Sequence, residues 1–259
     1  PFFVIPTTSG TGSEATMVAV VSDTQRNVKL AFASYYLMPH AAILDPRMTQ
    51  TLPPHLTAMT GMDALTHCVE AYTCLAANPL SDAYASAGIK KISENLFKVL
   101  DNPGDAQGRL ELAQASTMAG IAFSNSMVGL VHSLGHALGA VAHLPHGLCM
   151  NLFLPYVLEY NKEINGDKIG ELLLPLAGAD IYAQTPASQR ADKAIATILT
   201  MRDRLFSLTK LPRTLRETGK VTEAQLDEVA EKALNDGSII YNPKEANLQE
   251  LRAILQKAW

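Results

Sequence analysis

Cysteine is scarce. There are three in 259 residues: Cys68, Cys74 and Cys149. No two of them form a CxxC clip, and an odd count at these spacings argues against a disulfide framework. The thiols therefore read as reduced, in a cytoplasmic protein. Basic charge is not in excess either. Against 25 Asp and Glu stand 21 Lys and Arg, a net charge of -4, whereas a nucleic-acid or anionic-membrane partner would favour a basic face. No stretch is both long enough and apolar enough to span a bilayer. The first residues lack the basic n-region of a signal peptide. Internal repeats, low-complexity tracts and long linkers are absent. What is present is 47% hydrophobic and 18% charged residues, enough for a substantial core in one large domain or two small ones. The chain opens at Pro1 and passes directly into the apolar run Phe2-Phe3-Val4-Ile5, a strand-like start that reads as the continuation of something upstream.

Two kinds of patterning divide the sequence. Short runs rich in apolar or β-branched residues predict strands at Phe2–Ile5, Thr16–Ser22, Val28–Ala33 and Ala41–Leu44, broken by the Thr7–Ser13 loop and the Asp23–Asn27 turn. After Pro46 the periodicity becomes helical, with helices expected over about 54–76, 80–100, 106–126, 129–142, 147–161, 187–208, 222–235 and 246–257. Pro53-Pro54 suits a helix start, and Asn102-Pro103-Gly104 a helix end. The expected fold is mostly α: an all-helical metal-binding domain over 49–259, preceded by a few strands in 1–48. Some 45 residues of strand make a poor domain alone and read as the last strands of an α/β nucleotide-binding sheet.

Chemistry concentrates in two helical motifs. In Gly61-Met62-Asp63-Ala64-Leu65-Thr66-His67, Asp63 and His67 are four residues apart, so a carboxylate and an imidazole share one helix face and can reach one divalent cation. Taken alone, such a pair is more often a solvent-facing Asp–His contact. The second motif changes the balance. Of seven histidines, His132, His136, His143 and His146 fall within 15 residues, among Leu134, Ala137, Leu138, Ala140, Val141 and Leu144. Histidines in so apolar a stretch need partners. Either they are core histidines satisfied by protein groups, or a metal supplies the partner. Three imidazoles and a carboxylate suit Fe(II) or Zn(II), and donor softness does not choose between them. An open coordination face would let an alcohol oxygen bind and lose its proton more easily. His136, one turn beyond His132, could relay a proton or pack on a nicotinamide ring; equally it could only orient a ligand. His143 is expected to be structural, while His40 and His55 carry no functional expectation.

The Gly10-Thr11-Gly12-Ser13-Glu14-Ala15 run fits G-x-G-x-x-A, yet a strand-like segment follows where a dinucleotide fingerprint needs a helix. The hydroxyl-rich Thr7-Thr8-Ser9-Gly10-Thr11 loop can still donate hydrogen bonds to a phosphate or ribose. It can also be a polar loop that closes a hairpin.

Taken together, Pro6 to Glu14, Leu44-Asp45-Pro46, Leu52-Pro53-Pro54, Gly61 to His67 with Glu70-Ala71-Tyr72, Gly129 to Gly139 and Pro145-His146-Gly147 resemble the iron-containing (group III) alcohol dehydrogenases. The resemblance runs over essentially the whole chain. It implies a dehydroquinate synthase-like fold, in which an N-terminal nucleotide-binding α/β domain joins a C-terminal helical domain with the active site in the cleft. It implies metal ligands at Asp63, His67, His132 and His146, with His136 beside the nicotinamide. Cofactor contacts are implied at Thr7, Thr8, Thr11 and Lys29, and a substrate-pocket wall at Phe123. Implied too are Fe(2+) or Zn(2+), NAD or NADP, a primary alcohol, diol or aldehyde as substrate, and a dimer or larger homo-oligomer. The family's Gly-Gly-Gly-Ser pyrophosphate loop is absent from this sequence, as is the position that helps choose NAD or NADP, so cofactor preference stays open. Three readings compete: an iron-dependent alcohol dehydrogenase, a related zinc-dependent polyol dehydrogenase, and a metal-binding helical fragment inactive by itself.

Overall fold

The computed structural model describes residues 1–23 and 28–259, without the side chains of residues 22, 23, 28, 29 and 31. Among the described residues the strands all precede Pro46. Strand β1 (Phe3–Val4) pairs in parallel with β4 (Ala41–Ala42). Strands β2 (Val18–Asp23) and β3 (Val28–Ala33) form an antiparallel hairpin, with Val18 opposite Ala33 and Asp23 opposite Val28. Both pairings lie where β-branched and apolar runs predict them, although β1 and β4 are only two residues long each.

Helices make up the rest of the regular structure, and their ends are written in the sequence. Pro54 occupies the first turn of α1 (Pro54–Thr73), where no intrahelical N–H is needed. Asn78 and Ser81 form a capping box at α2 (Pro79–Asp101). The Asp105 carboxylate caps α3 (Ala106–Ser126) by accepting from the Gly108 N–H at 3.0 Å. Helix α4 (Leu130–Ala142) stops at His143, which adopts the left-handed conformation with φ 52°. Helix α5 (His146–Glu171) follows at once. Then come α6 (Leu173–Ala177), α7 (Ala179–Gln184), α8 (Arg190–Thr209), α9 (Leu226–Leu234) and α10 (Leu248–Lys257).

Helix α1 lies in the middle of the packing. Fifteen of its twenty residues are buried, because it meets α2, α3 and α5 on different sides. Past its first turn the helix has no solvent face, so it is not amphipathic and its polar residues, Asp63, His67 and Glu70 among them, are buried with the apolar ones. Met62 and Leu65 of α1, Ile89, Ile92 and Leu96 of α2, Leu130 and Leu134 of α4, and Phe153 and Leu154 of α5 are fully buried. Each such side chain contributes about 1.5–3 kcal/mol on removal from water. Because α1 is fixed by so many neighbours, polar groups on it are held in place as well.

Helix α5 departs from expectation. A helix is expected over about 147–161, but α5 runs on to Glu171, with only Asn165 leaving helical geometry on the way (φ -127°, ψ 26°). Tertiary contacts hold the kinked turn: the Asn165 amide donates to the Thr73 carbonyl at 2.7 Å, and Lys168 Nζ to the Tyr72 carbonyl at 3.1 Å. The short α6 and α7 that follow carry no sequence signal strong enough to anticipate them.

The Thr7–Gly12 loop lies against α1 and α3. Gly12 has φ +65°, and a Cβ there would stand 2.3 Å from the Ser116 carbonyl oxygen, so no other residue fits. Glu14, buried on the same turn, accepts from the Thr117 hydroxyl at 2.6 Å. Residues Ser13–Ala15 make one 3-10 turn, and Thr16 is already extended. No helix follows the glycines, which rules out the dinucleotide fingerprint, as the sequence context requires. Among the described residues no helix is long and apolar enough to cross a membrane.

Candidate metal centre

Four side chains from three helices converge. Asp63 and His67 project one turn apart from α1, His132 from the first turn of α4, and His146 from the first residue of α5. One donor atom from each lies within 4.8 Å of all the others. Two atoms bound at 2.0–2.2 Å to one tetrahedral zinc-like cation stand about 3.3–3.6 Å apart, so a pair at the 4.8 Å limit closes by a little over an ångström to share an ion. Asp63 Oδ1 is 3.4 Å from His146 Nε2 and 3.9 Å from His67 Nδ1. The His67 and His132 ring centroids are 4.6 Å apart, and those of His132 and His146 5.4 Å.

Local sequence makes this convergence possible. Gly147 sits directly against α1: a Cβ would come 2.5 Å from the Met59 carbonyl oxygen. The bare backbone at 147 lets α5 begin close enough for His146 to reach Asp63. His67, nearly buried, stacks on Phe123 of α3 at 4.5 Å. Burial, and then the neighbouring His132, push the His67 pKa well below its usual value; the Gly10 and Asp63 backbones oppose this weakly. His67 is therefore a neutral imidazole near neutrality, the form that ligates metals.

Glu70 and Asp236 stand behind the cluster, and sequence patterns did not single out either for a role. Glu70 lies seven residues beyond Asp63 and three beyond His67, on the same face of α1; that spacing was the available signal. Its Oε1 accepts from the Val131 N–H at 2.7 Å at the start of α4. Its other oxygen makes a close contact with His132 Nδ1. One carboxylate thus caps α4 and orients a candidate ligand, the carboxylate–histidine arrangement common behind metals. Burial pushes the Glu70 pKa up to about 7, against the opposing Gly129, Val131 and His132 N–H groups. Asp236, just past α9, faces His136 Nδ1 at 3.0 Å. Burial raises its pKa, but His136 and Ser238 together outweigh that and leave it lowered. No local pattern links residues a hundred positions apart.

The other expected residues distribute as follows. His136 lies beside the cluster, its ring stacked on His146 at 5.4 Å and edge-on to His132 at 5.7 Å, yet it is not one of the four converging donors. Phe123 covers His67. Thr7, Thr8 and Thr11 are exposed on the loop, whose Gly10 backbone reaches His67. The side chain of Lys29 lies outside the described residues. His143 ends α4 and is exposed, as are His40 and His55; His40 accepts from the Phe2 N–H at 3.0 Å.

Comparison with known proteins places this arrangement. Residues 57–259 match the Fe-containing alcohol dehydrogenase family, C-terminal, and residues 1–46 match iron-containing alcohol dehydrogenase. Alcohol dehydrogenase 4 of Saccharomyces cerevisiae is 37% identical over 261 residues, covering 100% of this chain and 65% of the relative. The 1,3-propanediol dehydrogenase of Klebsiella pneumoniae is 39% identical over 259 residues, with coverage of 100% and 65%. A crystal structure of a 1,3-propanediol oxidoreductase superposes with a TM-score of 0.92 at 37% identity, covering 100% of this chain and 66% of that one. Alcohol dehydrogenase from Oenococcus oeni gives 0.93 at 30% identity, with the same coverage. The chain thus spans 65% of the length of these yeast and Klebsiella relatives. On this evidence the chain belongs to the iron-containing alcohol dehydrogenase family.

Proposed function

We propose that the chain forms the metal-binding catalytic part of an alcohol dehydrogenase, moving hydride between a primary alcohol or diol, or the matching aldehyde, and NAD or NADP. The observation that carries the reading is the set of four donor atoms, three imidazole and one carboxylate, within 4.8 Å of one another. Asp63, His67, His132 and His146 are assigned as ligands to one Fe(2+), with Zn(2+) the alternative. When bound, such an ion polarises an alcohol oxygen and favours the alkoxide that gives up hydride.

The chain's own residues prepare the site. Glu70 holds His132, Phe123 walls one side of His67 where substrate would lie, and Asp63 offsets part of the ion's charge. His136 is assigned to the nicotinamide side, where it takes up the alcohol proton. The exposed hydroxyls of Thr7, Thr8 and Thr11, with Lys29, are assigned to the dinucleotide. Residues 1–48 are taken as strands of the nucleotide-binding layer and 49–259 as the catalytic helical domain, a division supported by the last strand at Ala42 and the first helix at Pro54. The related proteins are named as alcohol, 1,3-propanediol and NAD-dependent methanol dehydrogenases, which supports small alcohols or diols as substrates. Three buried free cysteines support a cytoplasmic, reducing setting, and a homo-oligomer is assigned by family.

A second reading, a metal-binding helical fragment inactive by itself, is favoured by the 65% span of the relatives. Anaerobic purification, metal analysis and assay of ethanol, 1,2-propanediol and 1,3-propanediol with NAD or NADP separate the two. Stoichiometric metal with cofactor-linked oxidation is expected of the dehydrogenase. Metal without oxidation would select the second reading, and a chain that takes up neither iron nor zinc would sink both.

A further inference from the structure

His136 presents a question that the metal cluster does not answer. Its ring touches the rings of two candidate ligands, His132 and His146, and it shares a helix face with His132. An imidazole this close to an ion would ordinarily join it. Like the candidate ligand His132, which Glu70 holds at Nδ1, it has a carboxylate at Nδ1, yet its own donors are not among the four that converge. Asp236 Oδ2 stands 3.0 Å from His136 Nδ1, and both side chains are about one-fifth exposed.

The carboxylate is itself held. Asp236 Oδ1 accepts from the Ser238 N–H at 2.8 Å, and the Asp236 N–H donates to the Ala233 carbonyl at 3.1 Å. The segment that carries it is pinned to the helices around the cluster. The Tyr241 carbonyl accepts from the Leu75 N–H at 2.9 Å, and Asn242 exchanges amide hydrogen bonds of 2.8 and 2.9 Å with Asn161. Asp236 is therefore a fixed acceptor. An ionised carboxylate only accepts, so the imidazole nitrogen facing it must carry the hydrogen. The neutral ring then has its lone pair on Nε2, at the edge away from Asp236.

We propose that Asp236 is a positioning residue for the reaction: it fixes His136 as the Nδ1–H tautomer and tethers the ring where it stands, beside the four converging donors rather than among them, leaving Nε2 as the proton acceptor. The assignment of the proton to His136 rests on the dehydrogenase reading given above; the tautomer and the tether do not. Carboxylates behind reacting or ligating imidazoles serve this orienting purpose elsewhere, and their loss costs about 10- to 100-fold in activity or metal affinity.

The test uses the full-length, zinc-loaded protein. The tautomer is read by 15N–1H correlation of the His136 ring, identified by its loss in His136→Ala. The wild type is expected to show the Nδ1–H form, and Asp236→Ala a mixed or Nε2–H form, with metal content unchanged or altered only by recruitment of His136 to the ion. In turnover, Asp236→Ala is expected to lower kcat about 10- to 100-fold with a much smaller change in KM. Asp236→Asn, whose amide oxygen can still accept, should recover part of the loss. On a His136→Ala background Asp236→Ala should cost nothing further, since the two act as one unit. An Nε2–H tautomer in the wild type overturns the proposal whether or not the protein oxidises alcohols. So does an Asp236→Ala loss that persists undiminished without His136, because Asp236 would then act elsewhere. Should the tautomer shift as expected while no variant, the wild type included, shows turnover, the dehydrogenase reading fails and the tether stands.

Discussion

The helical region and the strand segment treat apolar side chains in opposite ways. Around α1 the large aliphatic residues are sealed: Met62, Leu65, Ile89, Ile92, Leu96 and Leu134 are all 0% exposed. In the strand segment Phe3 is 58% exposed, and Val20, Val21 and Phe32 are each more than half exposed. The helices close a core among themselves, whereas a two-residue parallel pair and a lone hairpin bury little and are marginal alone. Chemistry follows the same division. Every candidate metal ligand sits on the helices, three of them buried and His146 partly open, and there burial keeps His67 neutral and a carboxylate such as Glu70 can fix an imidazole. The exposed hydroxyls assigned to cofactor binding sit on the loop between the strands, where a large ligand can approach. Under the proposed function, the buried helices hold the candidate ligands and the exposed loop is the side a cofactor would approach.

The largest expected effect strikes the candidate metal cluster. His146→Ala removes the donor that α5 contributes through its first residue. Metal content should fall by at least tenfold, and turnover should drop below detection even with added metal. Elemental analysis after anaerobic purification checks this; full occupancy in the variant would refute the ligand assignment. His136→Ala separates a ligand from its neighbour. It should keep the metal and lose about 10²- to 10⁴-fold in turnover, while His132→Ala loses the metal itself. Equal metal loss in both variants would make His136 a ligand or an essential support for one. Glu70→Gln comes next in size. It keeps the shape but weakens the hold on His132 and the cap on α4, so metal affinity should fall about 10- to 100-fold. Competition with a chelator measures it, and unchanged affinity would show that His132 needs no such support.

The sequence discloses unequal amounts of the two regions. The Asp63–His67 spacing and the histidine cluster marked where a metal could bind, because helix geometry ties residues four apart to one face; the choice of His132 and His146 over His136 came from the family resemblance, and the structure brings the four candidate donors together. The strand positions were visible in β-branched runs, and α1 through α4 in their helical periodicity, helped by Pro53-Pro54 at the start of α1 and Asn102-Pro103-Gly104 after α2. Sequence could not show the continuation of α5 past Asn165, because the Thr73 carbonyl that steadies that turn lies 92 residues away. Nor could it show Asp236, whose meaning depends on α9 packing against α4. Contacts local in sequence are legible there; those made only when distant helices dock are not.

The smallest effect concerns the seam between the regions. The Thr7–Gly12 loop is tied to the helices where Glu14, 4% exposed, accepts from the Thr117 hydroxyl at 2.6 Å. Thr117→Val keeps the side-chain shape and removes the donor, leaving a buried carboxylate oxygen short of a hydrogen bond. Such a loss costs about 1–3 kcal/mol. Because α3 is held by α1 and α2, the cost should appear as easier opening of the loop rather than as loosening of the helices. In the wild type, limited proteolysis is expected to cut within residues 1–48 before any helix from α1 onward. In Thr117→Val that first cut should come about 5- to 150-fold sooner, the fold-change matching 1–3 kcal/mol when cleavage follows the open population, with later cuts unchanged. If the helices were cut first in either protein, the ranking of the two regions would be reversed. If Thr117→Val speeded all cuts equally, the Glu14 contact would be holding the whole molecule together, and the seam would not exist as a separate point of opening.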